Sequence, residues 1–292
     1  MAAAVENAPG PVETYRAAFP DVSLRTDPAQ RTDWDALSAE LGDVDVVIGG
    51  PPCEPFTPAS AGRRTDPLSR LYNDPVGGLV LHAIKAVRAL RPTAFVFENV
   101  VQLADGPLQA ELADLVRRAG YHAHFNILRA EEVGTPSTRA RLFLSSHELR
   151  PPLVPAPTVR EAIGDLEPVL PGRDAPLANH VCDAVPRTLR DKVEGLQPGT
   201  SLRRWRGATG KVYGTWTRLD YDRVAPTIKG SGRFIHPVLE RALSVREHAR
   251  LMGFPDAHVF HGPLSSQYDQ AGESVPPPLA AAVCRELARQ LS

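Results

Sequence analysis

Between residues 44 and 128 short apolar runs alternate with segments of helical spacing, and nothing else in the chain narrows the fold as far. Val44-Asp-Val-Val-Ile48 reads as a short buried strand, ended by Gly49-Gly50-Pro51-Pro52. Val76, Val80, Ile84 and Val87, with Leu79, Ala83 and Leu90, predict a helix over 76–90 that Arg91-Pro92 stops. Ala94-Phe-Val-Phe97 is the next strand and terminates at Glu98-Asn99. Leu108, Leu112, Leu115, Val116 and Ala119 mark another helix, closed by Gly120. His122 to Leu128 and Arg141 to Ser145 read as two further strands. This pitch predicts an α/β fold, a mostly parallel sheet with helices on both faces. In such sheets ligands bind beyond the carboxyl ends of the strands, where Gly49–Phe56 and Glu98–Val100 fall.

Downstream, Pro-Pro-Leu-Val-Pro-Ala-Pro over 151–157 reads as a rigid linker. A short helix near 159–166 is followed by basic, Gly-rich sequence to about 233, expected to form loops and short strands. Residues 237–253 and 277–291 are helical in spacing.

The 292 residues are 42% hydrophobic and 23% charged, a composition that builds a core and argues against disorder. No apolar run reaches the roughly 18 residues of a membrane span. The amino-terminal segment lacks the pattern of a signal peptide, so a cytoplasmic location is expected. Cys53, Cys182 and Cys284 have no paired spacing, which argues against disulfides and a zinc site. Net charge is −1, yet its distribution is uneven. Residues 1–50 carry nine acids against three Arg, whereas 186–233 carry eleven Lys/Arg against four acids. The basic block is either a phosphate-binding surface or a solvated arginine-rich loop.

Cys53 follows a buried strand within Gly-Gly-Pro-Pro-Cys-Glu-Pro-Phe. Two glycines and two prolines set an unusual backbone path that a merely structural thiol does not need. Glu98 ends an apolar strand, and beside a nucleophile such a carboxylate suits acid–base work. Arg139 and Arg141 straddle the start of a strand at a spacing that puts both on one face.

These segments together resemble the cytosine-5 DNA methyltransferase family. Gly50-Pro-Pro-Cys53 resembles its nucleophile motif, Glu98-Asn-Val100 its catalytic acid, and Pro136-Ser-Thr-Arg139-Ala-Arg141 its paired arginines. Arg246-Glu247 through Arg250-Leu251 with Gly253-Phe-Pro-Asp256, Gly272-Glu-Ser-Val-Pro276, and Val5-Glu6-Asn7 with Tyr15 and Phe19-Pro20 resemble three more, in family order over nearly the whole chain. The resemblance implies a Rossmann-like S-adenosylmethionine-dependent fold and duplex DNA as substrate. A cytosine is flipped out, Cys53 adds to ring carbon 6, Glu98 bonds ring nitrogen 3, and carbon 5 takes the methyl. Arg141 would contact the base's carbonyl oxygen, and Arg139 would orient the acid or a phosphate. It further implies cofactor contacts at Glu6, Asp33, Pro51, Glu273 and Ser274; the basic block, which coincides with the family's target-recognition region, supplies the expected DNA contacts Arg203, Arg204, Arg206 and Arg233. The implied division is a catalytic domain over 1–158, a target-recognition region over 159–233, and helices over 234–292 that complete the catalytic domain.

The family's Phe-x-Gly-x-Gly-Gly loop and the strand before it have no counterpart, and the chain opens on a strand at 2–5 that resembles the family's second. Three explanations stand side by side: a start placed too late, one half of a split enzyme completed by another chain, or a relative that no longer methylates. Glu54, Ser137, Met252 and Glu273 also depart from the family pattern, and Ser60-Ala-Gly62 matches its mobile loop only loosely. The leading function is methyl transfer to DNA in a bacterial modification system. A catalytically silent DNA-binding or partner-regulating homologue is the alternative. A third is RNA as substrate, suggested by Phe56-Thr57 after the nucleophile.

Overall fold

The computed structural model of the chain describes residues 1–60, 63–173 and 175–292. Strands β1 (Ala3–Val5) and β2 (Ser23–Arg25) pair in parallel across helix α1 (Pro9–Ala18). After α2 (Trp34–Leu41) comes β3 (Val46–Gly49). It runs parallel to β4 (Ala94–Asn99), and the crossover carries α3 (Pro67–Tyr72) and α4 (Leu79–Leu90). Helix α5 (Pro107–Arg118) leads to β5 (His124–Arg129) and β6 (Ala140–Ser145), giving a sheet ordered β3-β4-β6-β5.

Strand β6 is antiparallel to both β4 and β5, so the sheet is more mixed than the sequence reading of a mostly parallel one. Only ten residues separate β5 from β6, too few for the helical crossover a parallel pair needs. Helices do cover both faces. On one, α4 and α5 bring Val80, Ile84, Leu108, Leu112 and Val116 against Phe95, Phe97, Leu142 and Leu144. Helix α4 begins three residues later than its spacing predicts, because Asp74 accepts hydrogen bonds from the amides of Val76 and Gly77 and holds a turn there.

The remaining elements are α6 (Val159–Ile163), α7 (Arg187–Arg190), β7 (Ser201–Arg206), β8 (Val212–Arg218), β9 (Phe234–Ile235), α8 (Val245–Leu251), α9 (Leu264–Glu273) and α10 (Pro277–Leu291). Helix α10 covers the second face of the four-stranded sheet through Leu279, Val283 and Leu287, against Ala94, Val96 and Phe143. Strands β7 and β8 form an antiparallel hairpin, with β9 added parallel to β8.

The helix expected over 237–253 is confined to α8. Residues 235–243 fold back on β9 instead, with Ile235 bridging Ala242 and the Leu243 amide bonded to the Phe234 carbonyl. The start signal was present in the sequence: Ser244 and Glu247 form a reciprocal capping box, and Arg241 grips the Glu247 carboxylate with two bonds of 2.7 Å. Helix α9 was not expected, since only Leu264, Tyr268 and Ala271 give it an apolar side. Among the described residues no helix is long and apolar enough to cross a membrane.

Candidate active site

The carboxyl ends of β3 and β4 open into a cleft of about 1480 Å³ that also receives α1, α9 and the β7–β8 hairpin. Cys53 sits half-buried in the loop after β3. Its carbonyl accepts bonds from the amides of Phe56 and Thr57 and from the Thr57 hydroxyl, which winds 53–57 into one tight turn. Phe56, fully buried, pins that turn to the core. From the neighbouring strand the Asn99 amide donates to the Pro51 carbonyl at 2.9 Å, tying the Pro-Pro-Cys segment to the end of β4. Burial pushes the Cys53 thiol up, helped by Glu54; the Thr57 hydroxyl, 3.8 Å from Sγ, and Arg141 pull the other way.

Glu98 stands at the end of β4 with 12% of its side chain exposed. Its Oε1 lies 2.7 Å from Nε of Arg141 on β6, close but out of line with the N–H, so the contact is poorly aimed as a hydrogen bond. Burial raises the Glu98 carboxyl despite Arg141 and Arg139 nearby, which favours a protonated acid. Cys53, Glu98 and Arg141 therefore face one another in one cleft.

Arg139 has a different setting. Its guanidinium is buried and donates to the carbonyls of Ile228 at 3.0 Å, Gly272 at 2.8 Å and Glu273 at 3.2 Å. These bonds join β6 to the start of β9's approach and to the end of α9. The main chains there touch directly: a methyl on Gly272 would stand 2.2 Å from the Gly230 nitrogen, so only glycine fits. Arg139 holds the scaffold in this structure and is bonded to neither the acid nor an exposed phosphate position.

Of the residues expected at the cofactor, Glu6, Pro51, Glu273 and Ser274 line the cleft. Glu6 follows β1 and accepts the Ala8 amide at 2.8 Å. Ser274 donates to the Gln270 carbonyl, and Gln270 in turn accepts from Thr14 of α1 at 2.6 Å, so α1 and α9 share one wall. Burial raises the Glu273 carboxyl, with Asp269 and Glu54 adding to it. Asp33 is the exception. It caps α2 by accepting the Ala36 amide at 3.0 Å and is not part of the cleft wall. An acid before a helix serves either purpose, and here the cap is what it makes.

The expected DNA arginines divide likewise. Arg203, Arg204 and Arg206 are exposed along β7. Strand alternation puts Arg203 on the face of Ser201 and Trp205, which line the cleft, and Arg204 and Arg206 on the opposite one. Arg233 is committed elsewhere: it bonds Asp183 at 2.7 Å and the Gly230 carbonyl at 2.7 Å and lies 3.7 Å over the Tyr268 ring, so it is not a free phosphate contact. The hairpin tip rests on the loop that carries Cys53. The Ala208 amide donates to the Pro58 carbonyl at 2.9 Å, and a methyl on Gly207 would stand 2.7 Å from that oxygen. Of Ser60-Ala-Gly62, Ala61 and Gly62 lie outside the described residues. No cluster of three potential metal ligands occurs among the described residues.

Sequence reasoning gave Asn99 no tie to Pro51 and Thr57 no tie to Cys53, and it missed the aromatic pair Trp205 and Tyr213 with Lys229. The aromatic interleaving of a basic strand was the available signal for the last three.

A family model described as C-5 cytosine-specific DNA methylase matches residues 1–289. The chain is 43% identical over 253 residues to a protein of Methanocaldococcus jannaschii named as a type II methyltransferase, covering 85% of this chain and 78% of that one. It is 32% identical over 299 residues to a type II methyltransferase of Haemophilus parahaemolyticus, covering 96% and 78%. A crystal structure titled as a DNA modification methyltransferase encoded within an Escherichia coli prophage superposes with a TM-score of 0.75 at 22% identity, over 100% of this chain and 92% of that one, so the two share the Rossmann-like methyltransferase fold. The chain belongs to the C-5 cytosine-specific DNA methylase family.

Proposed function

We propose that the chain methylates carbon 5 of a cytosine in duplex DNA through a covalent adduct with Cys53, as part of a type II modification system. The observation that carries this reading is Cys53 and Glu98 at adjacent strand ends in one cleft, with Arg141 2.7 Å from the acid. A cytosine must leave the helix to reach a thiol held this deep. The thiol loses its proton to solvent and the thiolate adds to ring carbon 6. Glu98, whose carboxyl burial shifts toward the protonated form, donates in that form to ring nitrogen 3 and thereby spreads the charge that addition creates. Arg141 holds the acid in place and offers its remaining N–H groups to the ring's carbonyl oxygen. Carbon 5 becomes the nucleophile, accepts a methyl, loses its proton to solvent, and Cys53 departs.

S-adenosylmethionine would supply the methyl from its sulfonium and leave as the neutral thioether. The cleft is large enough, and Glu6 presents a carboxylate of the kind that accepts ribose hydroxyls beyond a strand end. Pro51, Glu273 and Ser274 would flank it. The residues 1–158 and 234–292 would form the catalytic part and 159–233 the DNA-reading part.

A dependence on a further strand is part of this proposal. Among the described residues β1 and β2 form a sheet of their own, and β3 has β4 as its single neighbour. Ile48 of β3 is 59% exposed, unusual for an apolar residue in an α/β sheet. A strand carrying a glycine loop, from this polypeptide or another, would join the two sheets.

The test is trapping on duplex DNA containing 5-fluorocytosine, whose carbon 5 cannot release fluorine as a cation, so the adduct persists. Parent protein, supplied with cofactor and if required with the complementing strand, should form a covalent complex that Cys53→Ala cannot. An adduct formed by Cys53→Ala refutes the assignment.

A further inference from the structure

Trp205 is 39% exposed and Tyr213 half-buried, and neither belongs to any of the apolar cores. They are cross-strand partners on β7 and β8, with ring centroids 5.8 Å apart and planes 27° from parallel. An exposed tryptophan ring on a strand offers a π-face to whatever lies beside it. What covers this one is cationic. The Lys229 ammonium lies 5.5 Å from the Trp205 ring and 5.2 Å from Tyr213, and the Lys211 ammonium lies 5.8 Å from Tyr213. Neither lysine meets a carboxylate among the described residues.

All four side chains line the same cleft as Cys53 and Glu98. Their position relative to the nucleophile is set by the hairpin tip, whose Ala208 amide is bonded to Pro58, five residues past Cys53. Two stacked rings edged by unpaired cations match the chemistry of a nucleotide: a flat π-face followed by a phosphate.

Resting on the reading of the chain as a DNA methyltransferase, we propose that Trp205 and Tyr213 form a stacking platform for a second unstacked base of the bound DNA, separate from the cytosine that Cys53 addresses. Lys229 and Lys211 are displaced from the ring faces as the base arrives and pair with the phosphate beside it. Because every base has a π-face, the platform selects an extrahelical base and not its identity.

The probe is a pair of duplexes equal in sequence except for one bulged adenine, a base the cytosine site does not use. Binding is measured for the parent, Trp205→Phe and Trp205→Ala, each also with Cys53→Ala so that no adduct forms. The parent should prefer the bulged duplex, with quenching of the indole emission that Trp205→Phe lacks. Trp205→Ala should lose about tenfold on the bulged duplex, the effect of one base–aromatic stack, with little change on the paired one. Trp205→Phe should keep most of the preference. Equal losses on both duplexes, or a bulge preference that survives in Trp205→Ala, overturn the proposal. Failure of the 5-fluorocytosine trap would instead remove the methyl-transfer reading and leave this binding measurement intact.

Discussion

Replacing Arg139 by Met should unfold the protein more readily before it alters any chemistry. The side chain is 4% exposed and makes three bonds, at 3.0, 2.8 and 3.2 Å, to the carbonyls of Ile228, Gly272 and Glu273. A bond from a charged donor contributes about 1.5–3 kcal/mol, so three set an upper bound of about 5–9 kcal/mol. Two effects lower it. Burial, reinforced by Arg141 and opposed by Glu98, Cys53 and Glu273, brings the Arg139 pKa down to about 10, so removing the cation relieves a desolvation cost. Water reaching the cleft wall also satisfies some of the freed carbonyls. The expected net loss is about 3–5 kcal/mol, in line with other broken buried charge contacts. A lysine reaches at most two of the three carbonyls and should lose about half as much. Urea unfolding followed by tryptophan emission, at constant denaturant slope, measures both variants. If Arg139→Met loses less than about 1 kcal/mol while adduct formation collapses, the residue acts on the substrate and the structural account is wrong.

Glu98→Gln should reduce turnover by about 10²–10⁴, since the amide keeps the shape and can donate a hydrogen bond but has no acidic proton to transfer; unchanged single-turnover rates would make Glu98 structural. Alkylation of Cys53, located by peptide mass, should quicken about tenfold per pH unit from pH 7 upward without levelling near 8, because burial holds the thiol above its ordinary range and only the thiolate reacts. Thr57→Val removes a lowering hydrogen bond and should slow alkylation at a given pH; a plateau below pH 8 contradicts this. Neutralising Arg203 should flatten the salt dependence of DNA binding by about 0.9 in the logarithmic slope, whereas Arg204→Ala and Arg206→Ala, on the other face of β7, should change it little; three equal slopes would show that the strand lies the other way. Adding a polypeptide with a strand and a Phe-x-Gly-x-Gly-Gly loop should raise both S-adenosylmethionine affinity and the thermal midpoint, and calorimetric titration showing micromolar binding without it would sink the split-sheet reading.

That Cys53 and Glu98 share one cleft was legible because each sits in a contiguous motif at a strand end, and parallel strands bring such ends together wherever they lie in the chain. Roles decided by partners distant in sequence were not. Arg139 and Arg141 differ by two positions and point the same way, yet one meets carbonyls from 228, 272 and 273 and the other meets Glu98. Arg233 counted toward the basic block, but Asp183, fifty residues earlier, holds it. Asp33 had the right chemistry for a ligand and the right place for a helix cap, and composition does not separate the two. Ser137 and Met252, two departures from the family pattern, are in fact one contact: both are fully buried and their Oγ and Sδ atoms lie 4.0 Å apart. A paired exchange that keeps the core filled is weaker evidence of decay than two independent losses. Thr57, which suggested an RNA substrate, bonds the carbonyl and sulfur of Cys53 and has a local reason to be there.

The rest of the β7–β8 tip on Pro58 bears on protein engineering. Exchanging residues 159–233, proposed above as the DNA-reading part, between relatives is an obvious route to new sequence preferences, and it presumes that the segment can be cut out like a cassette. Here the cut would pass through a contact in which the Ala208 amide meets the Pro58 carbonyl and nothing larger than glycine fits at 207. A foreign hairpin one residue longer would press on the turn that carries the thiol, and one residue shorter would let it drift. On the proposed function such a chimera would grip its new site and transfer methyl groups poorly, and restoring it would call for mutations in residues 57–60, outside the exchanged segment.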